Sequence, residues 1–232
     1  MKRAAARRWK NPYQLKDKRI HMVLSAFFAA LSAVFAQIEF HLGPVPYTMQ
    51  NFIVILAAIT LKPKYAALSQ AIYLLLIGFN VPAASGFRGG PQVLVGYTAG
   101  YLWMFPVSCY LMSCLSRKYA KASPKRLLHP SLKDIAILLA ISFLSVLPIY
   151  VFGFLVFCYY ALQPTALGLG LKGWSKNIVS HFGFNLPGEI LVLFIASVLV
   201  FVPQDLFIDH LLAIIIATRV LRFMKKQGLH VP

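Results

Sequence analysis

Apolar residues run along this chain in blocks too long for a half-buried strand and too continuous for the narrow stripe of a surface helix. Six blocks stand out, at Ile20–Phe40, Val45–Leu61, Tyr65–Pro82, Val93–Leu115, Asp134–Leu162 and Glu189–Thr218. A helix needs about 20 apolar residues to cross a hydrocarbon core about 30 Å thick, and most of the blocks are near or above that length. The second and third are short and the last two long. Pro148 and Pro203 fall inside the last two, where a missing backbone donor predicts kinks that neighbouring helices can accommodate. The pattern predicts an all-α integral membrane protein with six transmembrane helices. Between the last two blocks, "QPTALGLGLKGWSKNIVSHFGFNLPGE" has room for a short interfacial helix, with Trp174, Phe182 and Phe184 near the headgroups.

Charge then fixes an orientation. Of 232 residues 59% are hydrophobic and 12% charged, with a formal net charge of +17, whereas about a quarter of the residues in a soluble domain are charged. A basic excess suits either nucleic acid or an anionic membrane surface, and its distribution favours the membrane. Lys2, Arg3, Arg7, Arg8, Lys10, Lys16, Lys18 and Arg19 precede the first block; Lys62 and Lys64 follow the second. Arg117, Lys118, Lys121, Lys125, Arg126 and Lys133 follow the fourth, and Arg219, Arg222, Lys225 and Lys226 the sixth. Of the 23 Lys and Arg, only Arg88, Lys172 and Lys176 lie in the alternate loops. The positive-inside rule places both termini in the cytoplasm. The organisation expected is a basic cytoplasmic tail at 1–19, a membrane domain at 20–218 and a second basic cytoplasmic tail at 219–232, in the cell (inner) membrane, with no nucleic-acid role. A basic start, the run Met22–Ala36 and the small-residue pattern Val34-Phe35-Ala36 also suit a cleavable signal peptide. The hydrophilic start is long for one, and losing the first block would leave an odd count against the charge pattern, so this block is expected to be retained.

Cys109, Cys114 and Cys158 sit in or near apolar blocks without C-x-x-C or His/Cys spacing, and read as small apolar fillers rather than metal ligands. No metal and no cofactor is implied. The chain has no phosphate loop, G-x-S-x-G or H-E-x-x-H, and no room for an ATPase domain. If it transports, energy comes from a gradient or a partner.

Polar residues within the apolar blocks mark candidate sites, because burying them in hydrocarbon is costly. In "GPVPYTMQN", Gln50 and Asn51 offer the paired donors and acceptors that suit a neutral urea or amide; hydrogen bonding between helices is the alternative. In "ASGFRGGPQVLVGYTAGYL", Gly86, Gly89 and Gly90 permit a tight non-helical loop around Arg88, Gly96 and Gly100 form a small-xxx-small face, and Tyr97, Thr98 and Tyr101 could grip a flat heterocycle. In "FVPQDLFIDHL", Asp205 and Asp209 share a helix face. Asp209 and His210 are expected near enough to the cytoplasmic end to be hydrated, whereas Asp205 is flanked by apolar residues. In "SAFFAALSA", Ala26 and Ala30, and again Ala29 and Ala33, have the A-x-x-x-A spacing of a close helix contact, within the chain or with a partner.

In their order, "SAFFAA", "GPVPYTMQN", "LKPKYAALSQAIYLLLIG", "VPAASGFRGG", "VGYTAGYL" and "FVPQDL" resemble the BioY family, the biotin-specific substrate-binding components of energy-coupling-factor (ECF) vitamin transporters. The resemblance covers about residues 20 to 218. It implies an ECF S-component-like bundle that binds biotin in an outward cavity capped by the 1–2 and 3–4 loops, with Gln50, Asn51, Arg88, Tyr97, Thr98, Tyr101 and Asp205 as its candidate contacts. It further implies that Ala26 and Ala30 face an ECF transmembrane coupling protein driven by ABC-type ATPases, although some members are solitary transporters. The family's P-G-D-x-x-K falls on Pro203 to Ile208, so its lysine is Ile208 here, and a loop position that tends to be Asn or Ser is Arg88. Arg88 could replace the missing charge by pairing with Asp205 or by meeting the ligand's carboxylate; it could also simply point to water. The alternatives are an S component for another small vitamin or cofactor precursor, and an integral-membrane enzyme using Asp205 and Asp209 as an acid/base pair, for which no third group is evident.

Overall fold

The computed structural model describes residues 12–41, 44–123, 125–184 and 186–227; most of the tail at 1–19, Gly43, and the end of the tail at 219–232 lie outside the described residues. α1 spans Pro12–Phe35, and a two-residue hairpin follows, with β1 at Glu39–Phe40 paired antiparallel to β2 at Tyr47–Thr48. Next come α2 (Gln50–Thr60), α3 (Pro63–Gly78), the short α4 (Pro91–Leu94) and α5 (Ala99–Trp103), α6 (Phe105–Ala120), α7 (Lys125–Leu128), α8 (Leu132–Leu162) and α9 (Ala166–His181). The chain closes with a rod over Glu189–Lys226. It is built from α10 (Glu189–Phe194), a π-helical turn at Ile195–Leu199, α11 (Val202–Gln204), a second π-helical turn at Asp205–His210, and α12 (Leu211–Lys226).

Three helical stretches among the described residues are long and apolar enough to cross a membrane: Lys18–Phe35, Leu132–Leu162 and Glu189–Lys226. They correspond to the first, fifth and sixth apolar blocks. Within the most apolar window of α8 only 33% of residues are buried, and Leu144, Val151, Leu155 and Tyr159 form an exposed stripe along it. An apolar face of that extent is stable against acyl chains and not against water. The chain is a membrane protein.

The third block is a single 16-residue helix, α3, whereas the second and fourth depart from single spanning helices. α2 has only 11 residues, and all but Asn51 are buried, because it runs inside a ring formed by α1, α3, α6 and α12. At 1.5 Å per residue it is about 17 Å long, roughly half the hydrocarbon thickness. The fourth block is broken into α4, α5 and α6, with a turn at 95–98 and prolines Pro91 and Pro106 in the first turns of α4 and α6. Gly96 therefore sits in the turn and shares no helix face with Gly100, contrary to the G-x-x-x-G expectation. Gly100 instead meets α8: a Cβ there would lie 2.5 Å from the Phe152 carbonyl oxygen, and one on Gly153 would lie 2.2 Å from the Tyr101 ring. Paired glycines thus bring α5 and α8 nearly backbone to backbone.

Local signals fix the helix starts. Ser131 and Asp134 form a reciprocal capping box on α8, and the Thr165 hydroxyl accepts from the Gly168 N–H at 3.1 Å to cap α9, in each case satisfying donors a helix start leaves free. α9 occupies the loop in which a short interfacial helix was expected. It packs on α8 and α10 with Trp174 exposed, and Phe182 and Phe184 are exposed just beyond its end. Pro148 lies within α8, which continues through it. Pro203 opens the short α11 between the two π turns, where each turn's extra residue resets which side chains face inward.

Candidate functional site

Because α2 stops well short of the bundle's full depth, a cavity remains beyond its N-terminus. It encloses about 750 Å³ of empty space, counting the part open to solvent. Its walls come from Pro46 and Thr48 of the hairpin region, from the 3–4 loop, from α5 and α8, and from the last rod. Gln50, Asn51, Arg88, Thr98, Tyr101 and Asp205 all line it. Tyr97 does not; the turn before α5 sends its ring edge-on to Phe157, 6.4 Å away between centroids. Ala26 and Ala30 are exposed on α1, whereas Ala29 is buried and Ala33 half-buried, so the first A-x-x-x-A row is exposed and the second turns toward the bundle. Ile208, the position of the family lysine, is 48% exposed and outside the cavity lining.

At the inner end lies a polar network. One Asp205 oxygen, Oδ2, accepts from Asn51 Nδ2 at 2.9 Å and from the Tyr150 hydroxyl at 2.6 Å. Asp209 Oδ1 accepts from the Tyr47 hydroxyl at 2.6 Å, and His210 Nδ1 lies 3.0 Å from the Ser142 hydroxyl. Asp209 and His210 are both 0% exposed, which overturns the expectation that they are hydrated; the second π turn points them into the helix bundle. Each carboxylate is instead met by a tyrosine hydroxyl, a short charge-assisted bond that offsets the cost of burial. Gln50 donates to the Tyr73 hydroxyl at 2.5 Å, and its Oε1 accepts from Thr48 at 2.6 Å. Asn51 Oδ1 and Ser197 Oγ are buried without a partner, and both residues line the cavity. A buried polar atom left unpaired costs about 1–3 kcal/mol, a cost that a polar ligand at this end of the cavity would relieve.

The mouth is formed by the 3–4 loop, strapped to the end of α1. Gln37 Nε2 donates to the carbonyls of Ala33 and Ala84, both at 3.0 Å, while its Oε1 accepts the Phe87 N–H at 2.9 Å. The Ser85 hydroxyl donates to Glu39. Gly86 (φ 67°) and Gly90 (φ 96°) take the left-handed conformations the glycine-rich stretch foretold, and Phe87, at φ 54° and 72% exposed, takes one that costs a bulky residue energy. Arg88 is exposed at the rim, with Nε donating to the Ser85 carbonyl at 2.9 Å. It does not pair with Asp205, whose bonds come from Asn51 and Tyr150. Among the described residues, Arg88 is the one lysine or arginine lining the cavity and Asp205 the one carboxylate. Gln37, Glu39, Tyr47, Tyr150 and Ser197 were not singled out from the sequence; of these, only Gln37 and Glu39, polar residues at the end of the first apolar block, gave a signal.

Known proteins resemble the chain in sequence and in fold. A family model described as the BioY family matches residues 9–226. "Biotin transporter BioY" of Thermotoga maritima is 42% identical over 97 residues, 42% of this chain and 57% of that protein. "Biotin transporter BioY" of Rhizobium etli is 30% identical over 183 residues, 77% of this chain and 89% of that protein. The stretches matched to the Thermotoga maritima protein and to that of Pyrococcus horikoshii span 57% and 59% of those relatives, less than two thirds of their length. In three dimensions, the crystal structure of the S-component for biotin from an ECF-type ABC transporter aligns with a TM-score of 0.63 at 22% identity, covering 88% of this chain and 92% of that one. That likeness is one of fold.

The tyrosine–carboxylate contacts predict unequal effects of two matched substitutions. Tyr47→Phe leaves Asp209 Oδ1 buried without its donor and should cost about 1–3 kcal/mol, read as a lower thermal unfolding midpoint in detergent. Tyr97→Phe removes a hydroxyl with no hydrogen-bond partner among the described residues and should shift the midpoint little. Equal shifts would contradict the network.

Proposed function

Since the chain belongs to the BioY family, we propose that it takes part in biotin uptake as the biotin-binding membrane component, and that the cavity beyond α2 is the biotin site. The observation that carries this reading is the cavity's division of chemistry: acceptor atoms at its inner end and a single cation at its mouth. Biotin has a fused ureido ring bearing two N–H donors and a chain ending in a carboxylate. In the proposed pose the ureido N–H groups donate to the free oxygens of Asp205 and Asn51. The bicyclic body lies against Tyr101 and Phe201, and the carboxylate meets the guanidinium of Arg88 at the rim. Gln50, tied to Tyr73 and Thr48, positions the start of α2, and Thr98 offers a hydroxyl to the ring.

We further propose six membrane-crossing segments with both termini in the cytoplasm, residues 20–218 forming the membrane domain and 1–19 and 219–232 basic tails, in the cell membrane. The clustering of Lys and Arg at one end supports this orientation. The exposed Ala26 and Ala30 supply a flat face for a transmembrane coupling protein of an ECF transporter, whose ABC-type ATPases power uptake.

Equilibrium binding to the purified chain tests the site. Biotin should bind in preference to lipoate, thiamin and riboflavin. Arg88→Ala should weaken biotin by about 1.5–3 kcal/mol, the usual worth of a hydrogen bond to a charged group, while leaving biotin methyl ester nearly unchanged. An equal loss for acid and ester removes Arg88 from the carboxylate contact, and no biotin binding by the unaltered chain removes the assignment.

Orientation is read by labelling single cysteines from outside the cell: Gly173→Cys should react and Lys121→Cys should not, and the reverse pattern contradicts the topology. Coupling is read by Ala26→Trp with Ala30→Trp, which should abolish uptake in cells while biotin binding in detergent persists. If binding is lost too, the face is needed for the fold rather than for a partner.

A further inference from the structure

A second polar concentration lies at the opposite end of the bundle. α7 packs against α12, and the groove between them is lined by Lys125, His129, Arg219, Arg222 and Lys226, with Phe223 and Leu128 as its apolar walls. Among the residues whose side chains are described, no carboxylate lines this groove. Asp134 is engaged by Ser131, Tyr119 and Arg126, Glu189 by Lys172, Glu39 by Ser85, and Asp205 and Asp209 by the network at the biotin cavity. Like charges gathered without counter-charge repel one another, so the groove is better satisfied with an anion in it.

His129 and Arg222 also line a neighbouring cleft, whose other walls are Ile135 at the start of α8 and Ile214 and Ile215 of α12. The two hollows share those two side chains and so lie side by side, one basic and the other branched-aliphatic. Arg222 stands at the junction. Its Nε donates to the Thr218 carbonyl at 3.2 Å and its Nη2 lies 3.5 Å from the Thr218 hydroxyl, which holds the guanidinium in place and leaves Nη1 free of any partner among the described residues. Ile135 and Ile149, the latter in the biotin cavity, are separated by about 21 Å along α8, so these hollows are distinct from the biotin site.

We propose that these paired hollows bind an anionic phospholipid, its phosphate held by Arg222, His129 and Arg219 and one acyl chain lying along Ile135 and Ile215. The phosphate ester is chemistry that a soluble phosphate shares; the aliphatic branch is what a soluble phosphate does not need. A groove for an acidic protein segment would have no use for a branched-aliphatic extension along the membrane-spanning part of α12. Basic pockets between helix ends at headgroup level hold anionic lipid in this way.

The test is native mass spectrometry of the full chain in detergent, titrated with dihexanoyl phosphatidylglycerol, dihexanoyl phosphatidylcholine, glycerol 3-phosphate and a short polyglutamate. Phosphatidylglycerol should be retained over phosphatidylcholine. Arg219→Gln and Arg222→Gln should each weaken it by roughly fivefold, as expected for one basic residue near an anionic surface. Ile215→Trp, which fills the aliphatic branch and keeps every charge, should weaken it as well, with unfolding midpoints confirming that each variant is folded. Equal retention of the two lipids, or affinity indifferent to the arginine variants or to Ile215→Trp, overturns the proposal. Glycerol 3-phosphate binding as tightly as phosphatidylglycerol would assign the groove to a soluble phosphate, and preference for polyglutamate to a protein partner; either overturns it too.

Discussion

The length of α2 is the constraint on which the rest of the architecture depends. An 11-residue helix inside a bundle of longer ones fills about half of the bilayer depth and leaves the other half to be closed by something else. The closure is made of the hairpin, the 3–4 loop and α5, none of which could face lipid with its backbone groups unpaired. The same helix start stabilises the acids. Its first N–H groups have no partner within the helix and carry the positive end of its dipole; the Phe52 N–H faces Asp209, and the Asn51 side chain holds Asp205. Two carboxylates can sit at membrane depth because a helix begins there and two tyrosines, Tyr47 just before that helix and Tyr150 on α8, donate to them.

Much of the scaffold was legible from residue order. α1, α8 and the last rod could be read because lipid-facing helices must be long and apolar all round, a property visible in any window of sequence. The second apolar block was misleading for the opposite reason: a helix enclosed by protein needs no spanning length, and Val45 to Met49 belong to the closure. The fourth block was as apolar as a span, yet the turn at 95–98 breaks it, and that turn also sends Tyr97 to Phe157. Within the site, Asn51, Arg88 and Asp205 stood out as polar residues in apolar surroundings. Tyr47 and Tyr150 did not, because a tyrosine is unremarkable in such a chain and their partners are 162 and 55 residues away. The Arg88–Asp205 pairing failed as an idea for a related reason: the two charges are visible in residue order, but the competing donors are not.

Opposite ends of the bundle solve opposite electrostatic problems. At one end the negative groups are neutralised internally by hydroxyl and amide donors, and a cation waits at the rim. At the other, positive groups crowd together in a groove whose described lining holds no acid. The first arrangement favours a ligand that supplies N–H donors to the interior and a carboxylate to the rim, the second an anion with an apolar tail.

Gln37 gives α1 a mechanical meaning. From the end of that helix its amide holds three backbone atoms, one in its own last turn and two in the 3–4 loop, while Ala26 and Ala30 are exposed two to three turns earlier on the same rod. A helix resists bending over such a distance, so a change of tilt imposed at the alanines is delivered to the tether as displacement, as a lever delivers it from one arm to the other. The linkage also runs backward: a ligand that steadies the loop steadies the rod, and thermodynamic reciprocity requires any effect of an α1 partner on ligand affinity to be matched by an equal effect of the ligand on the partner.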